Sequence, residues 1–204
     1  RTVPDQSALF DRSPSHIITG GTGGLGRLTA EWLLKQGVLQ VTLAARSAAW
    51  PANSDEWRHL SSSKACQLVS CDIGDASGVQ KLMSMSQLTW PISGVWHAAG
   101  VLADGMAASL TAQKCVRVFG PKVNGAVLQQ QSLHAARVDA LVFFSSIAAL
   151  YFSGAQANYS ASNFCLDIMS TRRRAHGLLG ASVQWGPWAD VGMAAKGSIN
   201  LRMQ

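Results

Sequence analysis

Residues 16–37, HIITGGTGGLGRLTAEWLLKQG, run a short apolar strand into a glycine-rich turn and then an amphipathic helix ended by Gly37. That succession closes off most folds. A strand of bulky apolar residues needs cover on both faces, and a helix starting directly after it crosses one face to reach a parallel neighbour. The rhythm repeats along the chain. QVTLAAR (40–46), CQLVSCD (66–72), SGVWHAAG (93–100), ALVFFSS (140–146) and ASVQW (181–185) read as further strands. Helices are expected at about 77–87, 111–118, 122–136 and 156–176, while the Ser-rich stretch 47–64 reads as a loose loop approaching low complexity.

The expected fold class is α/β: a Rossmann-type doubly wound parallel sheet, strand order 3-2-1-4-5-6, with helices on both faces. With 48% hydrophobic and 14% charged residues over 204 positions, the chain suits one domain with a large internal sheet. Residues 1–15, polar and punctuated by proline, read as a linker, and 16–204 as the domain. The formal charge of +6 fits nucleic acid, a phosphorylated cofactor or acidic protein partners. No basic tract interleaved with aromatics occurs, so nucleic acid is not expected. Arg172, Arg173 and Arg174 form a cationic run that reads either as a solvated helix face or as a docking patch. The four cysteines show neither CxxC nor zinc spacing, which suggests buried thiols in a reducing compartment and no metal. The most apolar segment, 140–152, is too short to span a bilayer and no signal-peptide pattern opens the sequence, so a cytoplasmic protein without membrane contact is expected.

Between the first strand and helix, Gly21, Gly23 and Gly26 fit G-x-G-x-x-G. Such a turn lets backbone approach a pyrophosphate, and the helix N-terminus offers free N–H groups to it. The stretch Gly20, Gly21, Thr22, Gly23, Gly24, Leu25 and Gly26 is the expected cradle. A carboxylate ending the second strand would select NAD through the ribose 2′-hydroxyl, yet Arg46 and Ser47 stand there. An arginine suits a 2′-phosphate, hence NADPH, although an exposed strand-end arginine would look the same. Asp72 and Ile73 close the third strand, where they could reach the adenine or simply make a turn. His97, Ala98, Ala99 and Gly100 end the fourth strand with small residues beside the cofactor, and His97 reads as a strand-end structural group.

TGGTGGLG, HAAGVLADG, GPKVNGA, FFSSIAAL, NYSASN and VQWGPWADVGM together resemble the catalytic half of the ketoreductase domains of polyketide synthases and multifunctional fatty acid synthases. These domains are part of the short-chain dehydrogenase/reductase superfamily. The resemblance spans about His16 to Met193 and implies NADPH-dependent reduction of a β-ketoacyl thioester carried on the phosphopantetheine of an acyl carrier protein. It further implies that other domains of the same megasynthase are partners, and that this chain is a piece of a longer polypeptide.

By that resemblance the catalytic residues are Tyr159, Ser146, Lys122 and Asn163. Most of the superfamily places its lysine four residues after the tyrosine. Here Asn163 holds that position and Lys122 comes from an earlier helix, as in the megasynthase enzymes. Tyr159 would donate the proton, Ser146 would bond to the same oxygen, and Asn163 would orient Lys122 or a relay water. Lys122 would lower the tyrosine pKa by Coulomb attraction. Gly186 and Pro187 would shape a turn beside the nicotinamide, and Trp188 and Met193 would border the substrate. Trp185 reads equally as pocket or core. Asp104 resembles the signature residue of enzymes that yield D-configured β-hydroxyacyl products. Tyr151 stands where the opposite class carries tryptophan.

Overall fold

The computed structural model describes residues 13–51, 55–133, 138–151 and 154–188. Six parallel strands form its sheet: β1 (Ser15–Thr19), β2 (Gln40–Ala45), β3 (Cys66–Ser70), β4 (Ile92–His97), β5 (Ala140–Ser146) and β6 (Ala181–Trp185). Their order is β3-β2-β1-β4-β5-β6, the doubly wound arrangement expected from the sequence. β1 is buried along its whole length. Its alternating side chains divide between two cores, because Ile17 packs with Leu82, Val95, Phe143 and Leu166 while Ile18 packs with Leu33, Leu43 and Leu60. Each face of the sheet is therefore closed by its own helical layer.

The helices are α1 (Gly24–Lys35), α2 (Asp55–Ser62), α3 (Ala76–Thr89), α4 (Ala112–Phe119), α5 (Gly125–Ser132) and α6 (Ala157–Ala175). Side-chain caps start two of them: Asp75 accepts from the Gly78 amide at 2.9 Å, and Thr111 from the Lys114 amide at 3.3 Å. At the end of α6, Arg173 donates to the Leu179 carbonyl at 2.6 Å and Arg174 to that of Gly180 at 2.9 Å. Two side chains of the cationic run thus tie down the turn that leads to β6.

Two expectations need correction. The stretch read as a loose loop contains α2, which buries Trp57 and Leu60 against the β2–β3 side of the core. Burying each of these stabilises by roughly 1.5–3 kcal/mol, which offsets part of the cost of ordering the polar residues around them. The helices expected at 111–118 and 122–136 are α4 and α5, joined by a π-helical turn over Gly120–Asn124. Pro121 has no amide hydrogen to return to the preceding turn, and glycine stands at 120 and 125, so the regular i→i−4 ladder is interrupted there.

Candidate functional site

The C-terminal ends of β1 and β4 diverge at the point where strand order reverses, leaving a crevice at that edge of the sheet. A cleft of about 800 Å³ occupies it, lined by Gly20, Thr22, Gly23, Gly24, Leu25 and Gly26 on one side. Arg46, Asp72 and Ile73 line its far end, and Ala98, Ala99 and Gly100 its floor. Glycine is required by geometry at Gly20 and Gly26, among others. Gly20 has φ +67°, and a Cβ there would lie 2.7 Å from the Ala98 carbonyl oxygen. A Cβ on Gly26 would lie 2.6 Å from the Gly20 oxygen, so the helix could not pack this closely on the turn.

The N-terminus of α1 has neither a side-chain cap nor an acidic residue in its first turn. Its amides face the cleft with no anion supplied by the chain itself, a donor set that fits a pyrophosphate. Arg46 is exposed and makes no ion pair among the described residues, which fits a phosphate at the ribose end. Asp72 accepts from the Gly74 amide at 3.0 Å, so it makes a turn and lines the cleft at once. The wall opposite the cradle was missed by sequence reasoning: Val116, Arg117, Gly120, Pro121 and Asn124 contribute it. GPKVNGA carried the signal for three of these, since a wall near a cofactor favours the same small residues as its floor.

Several expected cofactor residues lie outside that lining. Gly21 is pressed against Leu43, leaving no room for a side chain on that face. Ser47 accepts from the Ala49 amide at 3.2 Å and caps its own turn. Gly186 and Pro187 form an exposed turn after β6. His97 is fully buried beneath the floor, where Nε2 meets the Lys122 carbonyl oxygen at 2.8 Å. Thr19 Oγ1 at 2.8 Å and Gln129 Nε2 at 2.7 Å approach its Nδ1. Burial holds this imidazole down to about 4, so it is neutral.

Next to the cleft stands the polar cluster. Lys122, 3% exposed, projects from the π-helical turn, and its Nζ donates to the Phe144 carbonyl at 3.0 Å. The same Nζ lies 5.4 Å from the centroid of the Tyr159 ring, inside cation–π range. Burial lowers the Lys122 pKa to about 8, against an opposing pull from the Asp167 carboxylate. Tyr159 and Asn163 are one turn apart on α6. Ser146 ends β5, where its hydroxyl accepts from the Ala148 amide at 3.2 Å. The structure brings these four together.

One electrostatic expectation is overturned here. The Tyr159 phenol is shifted upward, not downward, because burial outweighs the hydrogen bonding of Asn163 and Ser146 that favours its anion, with Asp104 adding to the rise. Of the two roles expected of Asn163, a bond to Lys122 is not made. Its Nδ2 donates to the Tyr159 carbonyl at 2.9 Å, and its Oδ1 is buried with no partner among the described residues.

The loop carrying Asp104 is stapled to the start of α6. Gln156 donates to the Asp104 carboxylate at 3.1 Å, Asn158 to the Ala103 carbonyl at 2.9 Å, and Gly105 to the Ala155 carbonyl at 2.8 Å. Ala155 has φ 62°, a left-handed backbone that costs an alanine on the order of 1–2 kcal/mol and that these bonds sustain. Tyr151 is 70% exposed, and its amide donates to the Ile147 carbonyl. Trp185 packs between Phe144 and Trp188, with ring centroids 5.5 Å and 5.4 Å apart in tilted and edge-on contacts, so both tryptophans belong to one aromatic cluster. Met193 lies outside the described residues.

A family model described as the KR domain matches residues 14–190. Polyketide synthase GfsB of Streptomyces halstedii is 36% identical over 189 residues, covering 92% of this chain and 3% of that protein. A phenolphthiocerol/phthiocerol polyketide synthase of Mycobacterium tuberculosis is 35% identical over 194 residues, covering 94% of this chain and 9% of that protein. Among solved structures, an A-type ketoreductase from a modular polyketide synthase superposes with a TM-score of 0.88 at 32% identity, covering 98% of this chain and 43% of that one. This chain thus spans a small part of each curated relative and less than half of the solved ketoreductase. With the sheet order, the glycine cradle and the lysine–tyrosine cluster in place, the chain belongs to the ketoreductase (KR) domain family of polyketide synthases, within the short-chain dehydrogenase/reductase fold.

Proposed function

We propose that the chain uses NADPH to reduce a β-ketoacyl thioester, held on the phosphopantetheine of an acyl carrier protein, to the β-hydroxyacyl thioester within a polyketide synthase. The observation that carries this reading is the buried Lys122 ammonium 5.4 Å from the Tyr159 ring beside a cleft with an uncapped helix N-terminus. When bound, the nicotinamide supplies the hydride that reaches the β-carbon. Gly20 to Gly26 and the α1 amides would hold its pyrophosphate, and Arg46 the 2′-phosphate that marks NADPH.

The side chains handle the proton. Because burial raises its pKa, Tyr159 keeps its phenolic hydrogen at neutral pH and is a donor. It protonates the carbonyl oxygen as negative charge gathers there, and the Ser146 hydroxyl donates to the same oxygen. Lys122, charged below about pH 8, stabilises the phenolate left behind until solvent returns a proton. Asn163 fixes the first turn of α6 through the Tyr159 carbonyl, which holds the phenol at its post. Asp104, Tyr151 and Trp188 would border the acyl chain, and Asp104 would guide entry toward a D-hydroxy product. The partners of this reading are the carrier protein and the other domains of the synthase, in the cytoplasm. Among the described residues no helix is long and apolar enough to cross a membrane.

Loss of NADPH absorbance on addition of a β-ketoacyl thioester, loaded on carrier protein or on a pantetheine mimic, tests the reading, with chiral analysis of the product. Thioester-dependent oxidation is expected. Tight NADPH binding without turnover of either substrate contradicts it and would make the chain a nucleotide-binding structural part of its synthase.

A further inference from the structure

The catalytic lysine sits in an irregular place. An ammonium on a regular helix could swing toward solvent, yet Lys122 is 3% exposed and its Nζ is turned onto the Phe144 carbonyl. What fixes the backbone from which it springs is a side chain on the neighbouring strand. We propose that His97 is the positioning residue for the catalytic lysine: by donating from Nε2 to the Lys122 carbonyl oxygen, it holds the π-helical turn that aims Lys122 inward.

The geometry assigns each hydrogen. A carbonyl oxygen only accepts, so the 2.8 Å contact puts the imidazole hydrogen on Nε2. Nδ1 must then accept, and Gln129 Nε2 at 2.7 Å and the Thr19 hydroxyl at 2.8 Å are both able to donate to it. Gln129 Nε2 also donates to the Gly125 carbonyl at 2.9 Å, tying the ring to the first residue after the π turn. Gly125 is part of the device, because a Cβ there would lie 3.1 Å from His97 Cε1. The groups facing Lys122 are the neutral His97 ring from β4, the Phe144 carbonyl from β5, and the Tyr159 phenol and Asp167 carboxylate from α6. Asp167 is itself held by Ser182 at 2.5 Å and Gln184 at 2.8 Å. His97 does not line the cofactor cleft, so its effect on Lys122 is separable from cofactor binding.

The inference rests on reading Lys122 as the cation of the proposed reduction, and its test has one arm that needs no turnover. The intact protein is compared with His97→Asn, which keeps a polar group near Nδ1 but cannot reach the Lys122 carbonyl, and His97→Gln, which reaches it. The Lys122 Nζ titration is followed by NMR, alongside kcat and the NADPH Kd. In His97→Asn the titration should climb from about 8 toward that of an exposed lysine as the side chain loosens. Turnover should fall about tenfold or more with the NADPH Kd changed less than about twofold, and His97→Gln should restore most of both. Gln129→Met, which frees Nδ1 and the ring's orientation, should move the titration the same way by less, and it keeps the test open should His97→Asn unfold. An Nζ titration unmoved in both His97→Asn and Gln129→Met overturns the proposal. A parent protein with no turnover would sink the proposed reaction alone, since the titration still decides the role of His97.

Discussion

The two halves of the site are built on opposite principles. In the proposed reading the nucleotide half, from β1 to β3, would recognise with backbone: its cradle is glycine, its helix N-terminus is bare, and Arg46, which would be its selective charge, stands in solvent. The proposed catalytic half, around β4 to α6, would work with side chains taken out of water: Lys122, Asn163 and His97 are all buried, and Tyr159 is half-buried. Backbone recognition tolerates solvent because a phosphate brings its own charge. Proton transfer gains from exclusion of water, where one ammonium beside a phenol acts at low dielectric. Mutations in the two halves should therefore fail differently, in affinity on one side and in turnover on the other.

The largest break is expected from Lys122→Met, which keeps the length of the side chain and removes the charge. Turnover should fall by about 10²–10³-fold with NADPH affinity nearly kept, while removing a buried charge with no close ion pair among the described residues changes stability far less than turnover. The pH profile sharpens the point. The parent kcat should decline as pH rises through about 8, where Lys122 loses its proton, and that limb should vanish in the variant. A thermal midpoint that collapses together with turnover would assign Lys122 to folding rather than chemistry.

Acid stability probes two buried rings, one at each end of the paired central strands β1 and β4. His16 and His97 are both held down to about 4 by burial. Between the ordinary value near ~6.5 and about 4, the unfolded chain binds more protons than the folded one, so stability rises with pH there and is lost on acidification. Each ring contributes up to about 3 kcal/mol to that slope. Denaturant unfolding at stepped pH should show the loss, and replacing either ring by Gln should remove about half of it. A flat profile from pH 7 down to about 4.5 would mean that neither ring is as buried as the structure has it.

On the recognition side the effect is smaller. Arg46→Ala loses a charge-assisted contact to the 2′-phosphate, worth roughly 1.5–3 kcal/mol, so the preference for NADPH over NADH should narrow about tenfold. Saturating NADPH should restore kcat, since the exposed guanidinium takes no part in proton transfer. Equal affinity of the unmodified protein for both cofactors would remove Arg46 from cofactor selection.

The same contrast explains what could be read from the chain. The cradle is legible because glycine spacing is local, and the sheet order because short, mostly apolar strands alternate with helices. Lys122 is found only through resemblance: no local pattern joins a lysine in GPKVNGA to a tyrosine in NYSASN. The π-helical turn and α2 are not legible. The first arises from Pro121 between two glycines in a span that otherwise has helical composition. The second rests on two buried side chains, Trp57 and Leu60, among serines and charges. The direction of the Tyr159 shift is missed for a related reason: sequence reveals a nearby cation but not the depth of burial that opposes it. His97 ends a strand in a motif of small residues, and nothing in that motif says that its ring reaches under the floor to Lys122.

Tyr159→Phe separates the halves most directly, since it deletes one hydroxyl and leaves the ring beside Lys122. NADPH binding and single-turnover reduction of a β-ketoacyl thioester are measured on the same sample. With Tyr159 as the donor, the NADPH Kd should stay within about twofold of the parent while reduction slows by about 10²–10⁴-fold. Reduction within about threefold of the parent would contradict that role, because the proton would then come from a group other than Tyr159.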